Sequence, residues 1–350
     1  MRTRCRISNF DHIIVGHGLA GATLAIELRR RGLSVCVFDE GRSNTASRVA
    51  AGLMTPITGK RFALTPRWEE LWPLAVDFYQ EFAQKTGHGV LTRTPAVRFF
   101  RDAEDARWFE KRRDEMSAFI EEPGPADGFA NEFSGVQMKD TGRLDVSRLL
   151  DVAADEIGNA FFTNDAVQGP AVQNEGDRIQ LASVTGERLT WCTGYHEVPN
   201  PWFANVEFEA AKGEMITIRA AGLGESRTVH ASKLWMAPLG NDTYRVGATY
   251  EWDDLASQPT TAAREFLTER LEQFLRAPYE IIDHVAAVRP IVYGRQPIVG
   301  LSKQDARIGY INGLGSKGAL HAPFIARMYA DVLEGKRSID PEYDLHQRFR

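Results

Sequence analysis

The sequence predicts an α/β chain: a parallel, Rossmann-like nucleotide-binding sheet carrying an inserted antiparallel (α+β) sheet domain. Three observations carry this reading. Near the start, an apolar run at residues 13–15 meets Gly16, Gly18 and Gly21, followed by a helical stretch at 22–31 and a second strand at 34–38 that ends in Asp39. Near the far end, a strand at 308–312, the turn GLGSKGA and a helix at 320–333 repeat the same strand, turn and helix order. Between them, residues 208–220, 234–238, 244–250 and 281–290 alternate apolar and polar side chains as half-buried antiparallel strands do.

The first unit has the offsets of a dinucleotide-binding βαβ motif. Gly16 permits the tight turn, Gly18 lets backbone approach a pyrophosphate, and Gly21 lets helix and strand close on each other. Asp39 falls where a carboxylate accepts hydrogen bonds from a ribose diol.

A chain of 350 residues is long enough for two domains, and 25% charged with 43% hydrophobic residues places it among soluble globular proteins. A net charge of −5 argues against a protein whose main task is gripping a phosphate backbone, so nucleic acid is an unlikely partner. Cys5, Cys36 and Cys192 lie far apart without CxxC or metal-ligand spacing, so we expect reduced core cysteines and no metal. The ten residues before Asp11 are too few and too polar for a signal peptide, and no window is apolar enough to span a bilayer. A cytoplasmic protein without a membrane span is the expectation.

Taken in order, residues 40–61 are rich in small residues, and the run VAAGLM at 49–54 is too apolar for a solvated loop. A buried segment facing a large flat ligand is expected there. Residues 66–85 place Trp68, Leu71, Trp72, Leu74, Ala75, Phe78, Tyr79 and Phe82 at helical spacing, a core stripe. Residues 90–100 read as strand, 103–119 as a charged surface helix, and 121–142 as loop with one short strand. Asp145 caps a helix ending at residue 157. A strand at 160–167 follows, then a hairpin turning at 174–177 and 185–187, and a strand at 189–193 stopping on Gly194. A helix at 261–275 interrupts the antiparallel stretch. The expected division is 1–89, 141–205 and 291–350 for the nucleotide domain, with 90–140 and 206–290 forming the substrate domain.

Beside the first glycine triad, VAAGLM, TWCTG at 190–194, VRPIVYGRQPIVG from 288 and NGLGSKGALHAP from 312 together resemble the D-amino-acid oxidase-like superfamily of FAD enzymes. The likeness is greatest to the glycine oxidase and sarcosine oxidase branch, which also holds the oxidase module of the bacterial wobble-uridine tRNA-modification enzyme. The resemblance implies FAD, with Gly16, Gly18, Leu19, Ala20 and Gly21 on its pyrophosphate and Asp39 with Glu40 on the ribose. Arg42, Ser47 and the backbone of Ala50, Ala51 and Gly52 would line pyrophosphate and flavin. Val167 would meet the adenine, and Thr193 with Gly194 would form the close-approach turn. Gly313, Gly315, Ser316, Lys317, Gly318 and Ala319 would bring N–H groups to the flavin pyrimidine edge, where a helix N-terminus favours negative charge.

In that branch an arginine in a VRP motif pairs with the substrate carboxylate, which implies this role for Arg289; Tyr250, Lys60 and Arg61 are further pocket candidates. Arg295 departs from the small or acidic residue many relatives carry. The cysteines do not sit where relatives attach flavin, so non-covalent FAD is expected. The implied function is oxidation of the C–N bond of a small amino acid or N-substituted glycine by hydride transfer to flavin N5, imine hydrolysis and reoxidation by O₂ or another electron acceptor. Two alternatives are a tRNA wobble-uridine side-chain oxidase, with Lys60, Arg61, Arg67 and Arg93 as a basic rim, and a catalytically silent flavoprotein binding module.

Overall fold

The computed structural model describes residues 8–59, 61–124, 126–130, 134–163, 172–195 and 200–349. Ser8–Val15 pairs in parallel with Val35–Asp39 on one side and Val184–Trp191 on the other. Phe161–Thr163 extends the sheet beyond the first neighbour and Ile308–Asn312 beyond the second, both parallel, and Ile298–Leu301 adds an antiparallel edge. These strands are apolar on both faces because both are covered. Helices Leu19–Arg30, Gly318–Leu333, Val146–Ile157 and Trp68–Thr86 bury Ile14, Val37 and Ile311 on one side, while Phe38, Trp191, Phe203 and Tyr310 fill the other. The carboxyl ends of three central strands, at Val15, Trp191 and Asn312, each run into a glycine turn. In open parallel sheets that edge is where ligands bind.

A second, eight-stranded sheet runs in the order Glu280–Arg289, Ala211–Arg219, Thr243–Gly247, Leu234–Gly240, Thr228–Ala231, Ala96–Phe99, Gly135–Met138, Ile120–Glu121. Two portions of chain far apart in sequence build it. Their junction, Thr228–Ala231 with Ala96–Phe99, is parallel, whereas antiparallel pairing was expected throughout. No tight turn links those two strands, so nothing fixes them head to tail. Helix Thr261–Glu272 covers one face through Leu267 and Leu271.

The expected turn at 185–187 does not form: Val184–Trp191 is one unbroken strand, with the turn at 182–183, where Ala182 has φ 51°. Thr185 pairs with Asn9 on one side and Gln180 on the other, so a polar-looking stretch is held as a central strand by two neighbours. The helices after the glycine turns begin earlier than expected, at Leu19 and Gly318, since glycines in a first turn do not stop a helix. Asp145 caps Val146–Ile157 as expected, its side chain accepting from Arg148 N. Strand 160–167 is seen as Phe161–Thr163, and its remainder lies outside the described residues.

Several histidines are buried without an ion-pair partner among the described residues. His12 meets the Thr190 hydroxyl at 2.7 Å, which meets Tyr329 Oη at 2.9 Å. Burial pushes His12 and His230 down to about 3 and His321 down to about 4, from an ordinary 6.5. The unfolded chain therefore takes up these protons below pH 6.5 while the folded chain does not. The contribution of these histidines to stability is complete well above 6.5 and is lost as pH falls from there to about 4 for His321 and about 3 for His12 and His230. The unfolding free energy from urea titration is expected to be flat from about pH 7 to 8.5 and to fall below 6.5, by up to about 1.4 kcal/mol per pH unit for each such histidine, with the midpoint falling in parallel. A midpoint constant down to about pH 5 would contradict this.

Candidate functional site

The first glycine turn is built by steric necessity. Gly16 has φ +100°, and a Cβ there would stand 2.4 Å from the Cys192 carbonyl oxygen; one on Gly21 would stand 1.9 Å from that of Gly16. At the helix start, Leu19 N donates to Ser47 Oγ at 2.9 Å, and the first intrahelical bond runs from Ala22 N to Gly18 O. The N–H groups of Ala20 and Gly21 thus have no acceptor among the described residues, as the first turn of an uncapped helix leaves them. A backbone free of side chains at Gly18, with N–H groups and a helix dipole behind it, fits a pyrophosphate.

Asp39 ends the adjacent strand. Its Oδ2 accepts from His17 N at 2.6 Å and its Oδ1 from Gly41 N at 2.8 Å, which fixes the carboxylate and leaves lone pairs for ribose hydroxyls. Glu40 pairs with Arg42 near the surface. Val167 lies outside the described residues.

The other two turns meet through Asn312, which sequence reasoning missed. Its Nδ2 donates to Gly194 O at 2.8 Å while its Oδ1 accepts from Gly313 N at 2.7 Å. An amide at a strand end just before GLG was the available signal. Gly194 has φ +65° and open space where a Cβ would project, so backbone is presented there beside Thr193. Gly313 and Gly315 both have positive φ, and Gly315–Lys317 is a 3-10 turn leading into helix Gly318–Leu333. A Cβ on Gly318 would lie 3.2 Å from Leu19 Cδ2, so the two helix starts are side by side. Ala319 O accepts from Tyr79 Oη at 2.7 Å. Lys317 Nζ is drawn toward Thr65 Oγ1 at 3.1 Å, and burial lowers its pKa.

Residues 49–52 run between the two sheets. Val49 packs on Met215 and Ala287 of the second sheet. Gly52, with φ +70°, is required by the neighbouring strand, since its Cβ would stand 1.9 Å from Leu144 O. Val49 and Gly52 are buried, Ala51 is half-buried and Ala50 exposed, so the apolar run is only partly enclosed by protein.

Arg289 ends the strand Glu280–Arg289. Its guanidinium lies over Gly213, stands 4.2 Å from the centre of the Tyr250 ring and donates from Nη1 to Thr249 O at 3.2 Å. No carboxylate pairs with it among the described residues, and burial holds its pKa below the ordinary arginine value. Tyr250 Oη shares a hydrogen bond with Ser316 Oγ at 2.9 Å. An unneutralised guanidinium of one sheet is thereby joined, through one tyrosine, to the C-terminal glycine turn of the other.

Of the expected basic rim, Arg67 and Arg93 are paired with acids, Arg67 with Glu70, Asp340 and Glu342, and Arg93 with Asp140. Arg61 stacks on Trp108; Lys60 lies outside the described residues. Arg295 is at the surface, 3.6 Å from Glu209. Burial raises the thiol pKa of both Cys36 and Cys192, which keeps them protonated and poorly nucleophilic. Among the described residues no helix is long and apolar enough to cross a membrane, and no cluster of side chains could hold a metal.

Comparison with known proteins gives the family. The chain is 24% identical to a glycine oxidase of Pseudomonas aeruginosa, over 94% of this chain and 96% of that protein. It is also 24% identical, over 93% of its length, to the tRNA 5-methylaminomethyl-2-thiouridine biosynthesis bifunctional protein of Idiomarina loihiensis, of which it spans only 56%. Among solved structures, glycine oxidase from Geobacillus kaustophilus superposes with a TM-score of 0.78 at 17% identity, covering 95% of this chain and 96% of that one. L-proline dehydrogenase from P. horikoshii gives 0.76 at 14%, covering 98% of each. The profile of the DAO family, the FAD dependent oxidoreductases, matches residues 11–332, so the chain belongs to that family and its cofactor is FAD.

Proposed function

We propose that the protein oxidises the C–N bond of a small amino acid or N-substituted glycine, with Arg289 as the carboxylate clamp. The observation that carries this is a guanidinium with no acid among the described residues, half-buried and linked through Tyr250 to the Ser316 turn. A planar guanidinium stays charged when buried and binds a carboxylate through two hydrogen bonds, which fixes orientation as well as position. Bound FAD supplies a hydride acceptor for the carbon carrying the amine. Loss of hydride would leave the neutral amine as an iminium ion, which water hydrolyses to a carbonyl compound and the released ammonium or primary amine; in this reading O₂ takes up the two electrons with two protons and becomes H₂O₂. Rate comes from positioning by Arg289 and Tyr250, and from the N-terminus of Gly318–Leu333, whose partial positive charge favours negative charge on its ligand.

For the cofactor we assign Gly16, Gly18, Leu19, Ala20, Gly21 and Ser47 to the pyrophosphate and Asp39 with Glu40 to the ribose. Arg42, Ala50, Ala51, Gly52, Thr193 and Gly194 would flank it. Gly313, Gly315, Ser316, Lys317, Gly318 and Ala319 would border the flavin. Two protonated, buried thiols support non-covalent binding, and they suit the reducing cytoplasm in which we place the protein. The two sheets support a cofactor domain of 1–89, 141–205 and 291–350 and a substrate domain of 90–140 and 206–290. The pairing of Arg67 and Arg93 with acids weighs against a tRNA substrate.

Two outcomes follow. Arg289→Ala is expected to lower kcat/KM for carboxylate-bearing amines by about 100-fold, the worth of a charge-assisted pair, with Arg289→Lys in between and FAD content unchanged. Stopped-flow mixing with glycine, sarcosine, proline and D-amino acids checks it, and an oxidised flavin left unbleached by every amine would refute the proposed reaction. Asp39→Ala should raise the Kd for FAD by about tenfold or more in equilibrium titration, by removing a charged acceptor and freeing the His17 and Gly41 amides.

A further inference from the structure

The strand Ala211–Arg219 has two differently employed faces. Its odd residues face the site: Gly213 lies under the Arg289 guanidinium, and Met215 packs on Val49. Its even residues Lys212 and Glu214 are almost completely buried, at 1% and 3% exposure, although both are charged. They hold segment 249–260, which is largely exposed and otherwise irregular.

The attachments are numerous. Lys212 and Glu251 exchange both backbone hydrogen bonds, at 2.8 and 3.0 Å. Glu214 N donates to Thr249 Oγ1 at 2.9 Å. At the far end, Glu214 Oε2 accepts from Thr260 N at 2.8 Å and Oε1 from Thr260 Oγ1 at 3.0 Å. Lys212 Nζ lies 3.0 Å from Asp254 Oδ2 and 3.4 Å from Glu214 Oε1, and His284 Nε2 is 3.0 Å from Glu214 Oε2. One buried lysine and one buried glutamate thus reach the start, middle and end of the segment. That segment carries Tyr250 and, stacked beside it with ring centres 5.9 Å apart, Trp252. Thr249 within it supplies the carbonyl that accepts from Arg289.

We propose that Lys212 and Glu214 are positioning residues, which set the Arg289 clamp from behind the sheet by fastening segment 249–260 so that Tyr250 bridges Arg289 and Ser316. A buried ion pair is a poor source of net stability compared with apolar residues of the same size. Its presence here is accounted for by the geometry it imposes on an exposed segment with little packing of its own. Neither residue touches the reacting atoms; both act through Tyr250 and Thr249. The proposal rests on Arg289 being the carboxylate clamp, and its test separates the two.

The FAD-loaded protein is compared as wild type, Lys212→Met, Asp254→Asn and Arg289→Ala. Hydrogen–deuterium exchange of residues 249–260 reads fastening directly, and a non-reactive carboxylate, acetate, titrated against the visible spectrum reads the clamp. Lys212→Met should raise exchange in 249–260 at least tenfold, with exchange in residues 8–39 unchanged, and weaken acetate about tenfold. KM for the best amine should rise by a larger factor than kcat falls, a split that general unfolding would not give. Asp254→Asn, an exposed change that leaves no buried charge unpaired, should move every quantity the same way by a smaller factor, and it carries the test if Lys212→Met does not fold. Unchanged exchange and unchanged acetate binding in the variants that fold overturn the proposal. Acetate binding that survives Arg289→Ala instead overturns the clamp reading, and the exchange data then still decide whether Lys212 fastens the segment.

Discussion

The contact on which the site depends is between two helix starts. Gly318 lies so close to Leu19 that a Cβ would be 3.2 Å from its side chain, which brings the N-termini of Leu19–Arg30 and Gly318–Leu333 to one place on the sheet edge. Each helix end carries about half a positive charge, and crowding two of them is unfavourable unless an anion or strong acceptor sits between. The remaining long helices avoid this by other means. Trp68–Thr86 and Ala103–Met116 have acids in their first turns, and Asp145 and Thr260 cap Val146–Ile157 and Thr261–Glu272. The two glycine-turn helices have no acidic first turn and no side-chain cap from their own N-cap residues, Gly18 and Lys317; Ser47 takes up only the Leu19 amide. Their own sequences omit that compensation, which is what the proposed placing of FAD at both helix starts would supply.

That arrangement was partly legible in the residues alone. Glycine spacing, the Asp39 offset and the cap at Asp145 are local features, in which the partner lies within a few residues or is the backbone itself. What could not be read is long-range. The resemblance names Ser47 but not its bond to Leu19 N across 28 positions, and Asn312, which ties Gly194 to Gly313 across 118, goes unnamed. Neither residue differs in type from the many serines and asparagines that end loops. The unbroken strand through Thr185 and Gly186 was hidden for the same reason, since its polar residues are held by neighbours from both sides rather than by their own preference.

Arg289 shows the boundary most clearly. A VRP motif names the residue, but its chemistry depends on what stands opposite. An arginine with an acid beside it is a strut, as Arg67 is among Glu70, Asp340 and Glu342. The guanidinium of Arg289 has instead a tyrosine ring and a carbonyl oxygen, both of which leave its net charge intact. Only the tertiary structure distinguishes these two arginines.

The site-facing side of the second sheet is also shaped by what is missing from it. Gly213 lies within a strand without positive φ, so backbone conformation does not require glycine there. The space its side chain would fill is occupied by the Arg289 guanidinium, with Nη2 only 2.0 Å from an added Cβ. Gly247, at the end of the neighbouring strand, is similar: an added Cβ would meet Met215 Cγ at 2.5 Å and the Trp235 ring at 2.8 Å. Glycine inside a strand weakens it and reads from sequence as a defect. Here each one makes room for a large side chain to lie flat against the sheet. Lys212 and Glu214 are buried on the reverse of the same strand, so one face holds segment 249–260 while the other is left open beside Arg289 by glycine.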